Sequence, residues 1–281
     1  MMMTKINGCD IHYEMMGEEN GKTIFFIHGG PGLGDCRGDV LSFSSLASEF
    51  RLVFLDMRGS GRSENIPPFT HEQWVEDING LRQHLGLDTI ILHGSSYGGF
   101  IVLEYLLKYQ EYVSHAILNV TAANNEHHYA AIENALNSNL PGISPDRIRR
   151  LFEGLVHSDE DFKDLYAAIQ PLYAMKPDEE TMKQKLESIY FHYQTHNFAF
   201  NHNLKNYDLT SRLQEIHVPV LVTGGRKDWI TPIEYSEEIA RGIESATLVV
   251  FEENGHSLVR EKTDEYISHL KSFLSQQPVS Q

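Results

Sequence analysis

Three features of the sequence predict an α/β fold built on a mostly parallel sheet. Short apolar runs bounded by Gly, Asp or Pro recur along the chain, segments of helical period alternate with several of them, and an Asn-Gly pair sits between two short alternating stretches at the start. The opening stretch, Lys5 to Tyr13, carries Asn7-Gly8 at its centre, the strongest short-range signal for a β-hairpin. The apolar runs Thr23 to His28, Leu52 to Leu55, Thr89 to His93, Ala116 to Val120, Val220 to Thr223 and Thr247 to Phe251 read as strands buried on both faces. His71 to Leu85, Phe100 to Tyr109, Ile233 to Ile243 and Asp264 to Leu274 have the spacing of amphipathic helices that cover such a sheet. From residue 122 to residue 215 no strand pattern occurs. There Asp146 to Val156 and Glu179 to Tyr193 read as helices, punctuated by Pro141, Pro145, Pro171 and Pro177. The expected organisation is a core of residues 1–121 and 216–281, interrupted by a helical insertion over 122–215.

The composition excludes several classes. With 281 residues, 41% hydrophobic and 22% charged, the chain can bury a large core and is neither a disordered nor a collagen-like segment. Its 39 acidic residues against 23 Lys and Arg give a net charge of −16, so nucleic acid and anionic membrane surfaces meet a repulsive field. The first residues lack the apolar run of a signal peptide, and nowhere do about 18 uninterrupted apolar residues occur, so the expectation is a soluble, cytoplasmic protein. Cys9 and Cys36 stand apart, with no spaced Cys/His set, and imply neither a disulfide nor a structural metal. His192 and His196 have i, i+4 spacing, but no Glu follows the first of them as metalloprotease chemistry requires.

The strand Thr89 to His93 runs into Gly94-Ser95-Ser96-Tyr97-Gly98-Gly99 and then a helix, which is G-x-S-x-G in the strand-turn-helix setting that gives the motif meaning. Ser96 is the candidate nucleophile; Ser95 occupies the wrong position. A serine hydroxyl needs a base to take its proton, and that base needs an acid to orient it. Asp228, after the strand Val220 to Thr223, and His256, after the strand Thr247 to Phe251, lie where open α/β sheets place reactive groups. Asp208 and Asp264 are weaker rivals for the acid. Acyl transfer also needs donors for an oxyanion. The glycine-rich turn His28-Gly29-Gly30-Pro31-Gly32 and the start of the helix behind Ser96 offer the N–H groups of Gly30 and Tyr97. The Lys-Ser/Thr of a phosphate-binding loop is missing from that turn.

Together with Asp56-Met57-Arg58-Gly59-Ser60-Gly61-Arg62-Ser63, Gly225-Arg226-Lys227-Asp228 and Gly255-His256, these motifs resemble the α/β-hydrolase superfamily over nearly the whole chain. Within it, the HGGPG form resembles the proline iminopeptidases and the tricorn-interacting aminopeptidase. The resemblance implies an α/β-hydrolase core with the insertion as a cap. It also implies removal of N-terminal residues from short peptides through an acyl-enzyme on Ser96, with no metal or organic cofactor. Such aminopeptidases hold the substrate amine with acids in the late cap and directly after the triad Asp; here Asn197 and Trp229 stand at those places. Glu104, Glu133 and Glu153 are candidates to replace them. A carboxylesterase or lactonase acting on a small, fairly apolar molecule is the alternative reading, and a ligand receptor on the same fold a further one. The aromatics Tyr190, Phe191, Tyr193, Phe198 and Phe200 suit either a cap core or the lining of an apolar cleft.

Overall fold

The computed structural model describes residues 2–19 and 21–275. Eight strands form one sheet: β1 (Met2–Ile6), β2 (Cys9–Met16), β3 (Thr23–Ile27), β4 (Arg51–Leu55), β5 (Ile90–Ser95), β6 (Val113–Asn119), β7 (Val220–Gly225) and β8 (Ala246–Phe251). Their order is β1-β2-β4-β3-β5-β6-β7-β8. β1 and β2 form the hairpin that Asn7-Gly8 predicts, with both turn residues at positive φ, and β2 meets β4 antiparallel. Every other pairing is parallel. In chain order the helices are α1 (Arg37–Phe43), α2 (His71–His84), α3 (Tyr97–Tyr109), α4 (His127–Asn137), α5 (Pro145–Phe152), α6 (Asp159–Ile169), α7 (Glu179–Ser188), α8 (Tyr193–Phe198), α9 (Ile233–Gly242), α10 (Leu258–Glu261) and α11 (Thr263–Ser275).

The sheet is covered on both faces, which is why its central strands carry apolar residues on both, rather than alternating apolar with polar. In β3, Phe25 and Ile27 pack with Trp74 of α2, Val102 of α3 and Ile239 of α9. Their neighbours Ile24 and Phe26 pack on the other side with Phe43 of α1 and Tyr266 and Leu270 of α11. The six strands β3 to β8 lie within one or two residues of their sequence-based positions, except that β6 starts three residues early.

α4 to α8 fill the chain between β6 and β7, where the described residues contain no strand and a single isolated bridge, Asn124 to Asp208. Three of these helices start on side-chain caps: Ser144 accepts from Arg147 N–H, Ser158 from Asp161 N–H and Asp178 from Thr181 N–H. Ser158 followed by Asp159, Glu160 and Asp161 in the first turn was a usable signal for α6, which the periodicity alone does not show. The helix expected from Glu179 to Tyr193 stops at Ser188. Tertiary bonds break it: His192 N–H donates to Gly32 O at 2.7 Å, and Tyr193 N–H to Asp159 Oδ1 at 2.8 Å, which starts α8 on a new axis. The helices bury a third cluster that includes Ile148, Phe152, Phe162, Tyr166 and Trp229.

Candidate active site

Ser96 stands between β5 and α3 with φ 55° and ψ −123°, a conformation L-residues rarely adopt. Its neighbours impose it. Ser96 N–H donates to Asn119 O at 2.9 Å, and Thr121 Oγ1 donates to Ser96 O at 2.8 Å. The turn tolerates no side chains nearby: a Cβ on Gly94 would lie 2.6 Å from Gly98 O, and one on Gly98 would overlap Ile27 O. The rival Ser95 points elsewhere, accepting from Asn119 Nδ2 at 2.9 Å.

Two loops at the carboxyl ends of β7 and β8 bring the other groups in. Asp228 is fixed by Ile230 N–H and Thr231 N–H on Oδ1, at 2.8 and 3.1 Å, and by the Thr231 hydroxyl on Oδ2 at 3.0 Å. His256 Nδ1 lies 2.7 Å from Asp228 Oδ2, and His256 Nε2 lies 3.0 Å from Ser96 Oγ. A carboxylate only accepts, so Nδ1 carries the proton and Nε2 is left with a lone pair facing the serine hydroxyl. The arrangement can therefore take a proton from Ser96. Asp208 instead accepts from Thr210, and Asp264 lies in the first turn of α11.

The glycine-rich loop after β3 passes directly over Ser96, and a Cβ on Gly29 would lie 2.8 Å from Ser96 Cβ. His28 locks this loop to the next one, with Nδ1 2.9 Å from Gly29 O and Nε2 accepting Met57 N–H at 3.0 Å. Asp56 sits beneath. Burial would raise its carboxyl, but hydrogen bonds from Arg62 and Cys36 N–H outweigh that and hold it below the usual range. Gly30 O accepts from Leu33 and Gly34, while Gly30 itself has φ +65° and lines the cavity with Tyr97. Tyr97 is the first residue of α3, where an N–H has no intrahelical acceptor. Its hydroxyl is 2.7 Å from His71 Nε2 and 3.2 Å from Ala199 O, and His71 Nδ1 is 2.8 Å from Glu104 Oε1.

Ser96 and His256 open into a cavity of about 660 Å³ between sheet and helices. Much of its wall is apolar, with Phe152, Phe162, Tyr166, Ile169, Tyr173 and Phe200 among the lining residues. Burial pushes His127, His128 and His196 down to about 4, and His93 to about 3, so these imidazoles are neutral at pH 7.

An alpha/beta hydrolase fold model matches residues 22–263. The chain belongs to the α/β-hydrolase family. Among its relatives, this α/β hydrolase is 33% identical over 274 residues to a protein named proline iminopeptidase from Pestalotiopsis fici, covering 96% of this chain and 98% of that one. It is 27% identical to a proline iminopeptidase from Lactobacillus crispatus, with 96% of each chain covered. The structure of a thermophilic esterase from Thermogutta terrifontis matches with a TM-score of 0.75 at 26% identity, covering 98% of both chains.

The hydrolase's cavity differs from the acid-lined one that the resemblance implies. Asn197 is spent on the chain itself: Nδ2 donates to Val156 O at 2.8 Å and Oδ1 accepts Val156 N–H at 3.0 Å. Trp229 packs edge-on against Phe152 and Tyr173. None of the three proposed replacement acids lines the cavity: Glu104 is held by His71, Glu133 is exposed, and Glu153 is exposed beside Arg149. Sequence reasoning missed Asp35, Arg37, Asp39, Lys185 and Arg260, all cavity-lining. The first three follow HGGPG closely enough to have been considered; no local signal pointed to Lys185 or Arg260.

His192 and His196 do not form a metal pair. His192 Nε2 faces Gly61 O at 3.2 Å, while His196 Nε2 faces Leu151 O at 2.8 Å with its ring between Phe162 and Phe200. Among the described residues, His12, Glu14 and Cys36 approach each other at metal-binding spacing. The Arg62 guanidinium already lies there, 2.9 Å from Glu14 Oε1 and 3.2 Å from Cys36 Sγ. No helix among the described residues is long and apolar enough to cross a membrane.

Proposed function

We propose that the chain is a serine hydrolase acting through an acyl-enzyme on Ser96. The observation that carries the reading is the continuous line of hydrogen-bonding groups from Asp228 through His256 to Ser96. His256 Nε2 takes the hydroxyl proton as Ser96 Oγ bonds to the substrate carbonyl carbon, and Asp228 stabilises the imidazolium. The N–H groups of Gly30 and Tyr97 receive the oxyanion, aided by the α3 N-terminus. The carbonyl–leaving-group bond then breaks as the imidazolium gives its proton to the departing oxygen or nitrogen. Water repeats the sequence, and its attack releases the acid and returns the proton to Ser96.

Two substrate classes compete. Release of N-terminal residues from short peptides is supported by the names of relatives that match over nearly the full chain. Hydrolysis of a small ester or lactone is favoured by the cavity, because a substrate ammonium would need paired carboxylates there. Of the two acids lining it, Asp35 is held by Arg37, and burial raises Asp39 to about 7, leaving it only partly charged at neutral pH. We take the ester reading as the conclusion. Labelling with a fluorophosphonate probe that disappears in Ser96→Ala tests the nucleophile, and absence of labelling favours a receptor. Turnover of 4-nitrophenyl acetate without turnover of proline 4-nitroanilide supports the ester reading; the reverse pattern establishes the peptidase.

A further inference from the structure

The ester reading leaves the charged end of the cavity without a role. Five ionisable side chains other than histidine and tyrosine line the cavity: Asp35, Arg37, Asp39, Lys185 and Arg260. Arg37 Nε reaches both Asp35 oxygens, at 3.0 and 2.9 Å, so that pair cancels. Lys185 and Arg260 form no ion pair with any described residue. The Lys185 ammonium, half-buried on α7, has instead the ring faces of Tyr166 and Tyr173, each 5.9 Å from Nζ. Rings alone compensate a partly desolvated ammonium poorly, and a buried charge ordinarily has an ionic partner. Burial, and after it the positive charge of Arg260, lowers Lys185 to about 8 against the weaker opposing pull of the Asp35 carboxylate, so it is mostly charged at neutral pH. Asp39, with Oδ2 buried and without a hydrogen bond, offsets this only in part. The cavity therefore carries surplus positive charge inside a chain whose net charge is −16.

The position relative to the reaction is defined by one ring. The Tyr173 ring lies 5.7 Å from the His256 imidazole and 5.9 Å from Lys185 Nζ. Apolar Ile169 and the rings of Tyr166 and Tyr173 line the same cavity. We propose that Lys185 and Arg260 bind a carboxylate on the substrate, which is thus an ester or lactone with a short apolar body ending in that carboxylate. This inference rests on the ester reading above. It assigns the missing counter-ion of Lys185 to the substrate, and it explains why the cavity lining holds more cations than acids.

The test compares 4-nitrophenyl hydrogen succinate, glutarate and adipate with the neutral 4-nitrophenyl butanoate, pentanoate and hexanoate. Wild type is expected to prefer at least one charged ester about tenfold or more in kcat/KM, mainly through KM. Lys185→Gln lowers the charged-to-neutral ratio about tenfold, Arg260→Gln lowers it less, and Lys185→Arg retains most of it. The preference fades as pH rises through about 8, where Lys185 loses its proton. A ratio near one in wild type, or one that Lys185→Gln leaves unchanged, overturns the proposal. If no ester turns over, the ester reading fails by itself, and calorimetric titration of Ser96→Ala with glutarate against 1,5-pentanediol still decides the site. Saturable glutarate binding lost in Lys185→Gln supports it. Equal binding of diol and glutarate, or of inorganic phosphate and glutarate, overturns the carboxylate assignment.

Discussion

The floor and the roof of this cavity are built on different physics. The floor, at the carboxyl ends of β3, β4, β5, β7 and β8, is held by directional bonds: Asp228 accepts from Ile230, Thr231 and His256, and Asp56 accepts from Cys36 and Arg62. Gly94, Gly98 and Gly225 are so close to facing carbonyls that a single added carbon cannot be placed. The roof, from α4 to α8, is held mainly by rings and aliphatic side chains, and His196 Nδ1 is buried there without a hydrogen-bond partner. Hydrogen-bond geometry leaves bond-making groups little freedom, whereas apolar packing is non-directional and tolerates change. The half that carries the proposed chemistry is over-determined, and the half proposed to meet the rest of the substrate is not.

The comparison is broken most directly at the floor. Ser96→Ala should reduce kcat by about 10⁶-fold in steady-state assays while leaving the fold intact, because it removes the nucleophile and no packing. Residual activity within tenfold of wild type would place the reaction elsewhere. Gly98→Val should abolish soluble expression or lower Tm strongly, since its Cβ overlaps Ile27 O. A well-folded Gly98→Val protein would mean that the turn is looser than described.

Roof substitutions should have smaller effects. Asn197→Asp replaces an N–H donor to Val156 O with a carboxylate oxygen and should cost about 1–3 kcal/mol by denaturant titration. It should create no proline 4-nitroanilide hydrolysis, because the side chain faces the Gly154 to Val156 turn; gain of that activity would restore the peptidase reading. Acid should separate the halves more gently. A histidine whose folded pKa lies below its ordinary 6.5 protonates first in the unfolded chain, so stability is complete above pH 6.5 and is lost as pH falls toward 4. His127, His128 and His196 belong to the roof, whereas the sheet holds His93, lowered to about 3, and His12 on β2, also lowered by burial. Amide exchange near pH 5 should therefore show α4 to α8 losing protection before β3 to β7. Simultaneous loss would show one cooperative unit instead.

Legibility followed the same division. The parallel strands could be read because burial on both faces makes them continuously apolar, and the hairpin because Asn7-Gly8 satisfies a backbone need locally. Ser96, Asp228 and His256 could be placed on the loops that bring them together because strand ends mark reactive loops. Outside the roof α1 went unread; within it α4 and α6 did, and α7 was extended too far because the bonds from His192 N–H to Gly32 O and from Tyr193 N–H to Asp159 end and restart the chain through contacts that are remote in sequence. Asn197 and Trp229 were identified as departures, but not what each side chain does instead.

Local pattern determined the order of strands and helices along the chain and the residue types able to make and move a proton, since both follow from periodicity and from the chemistry of single side chains. Only the tertiary structure decided which charges share a cavity. Lys185 lies 89 residues from Ser96 and meets Tyr173 by packing alone, and no short-range rule links an ammonium on one helix to a reaction at the edge of a sheet. Electrostatic surroundings are a property of distance in space, and distance in space is what folding supplies.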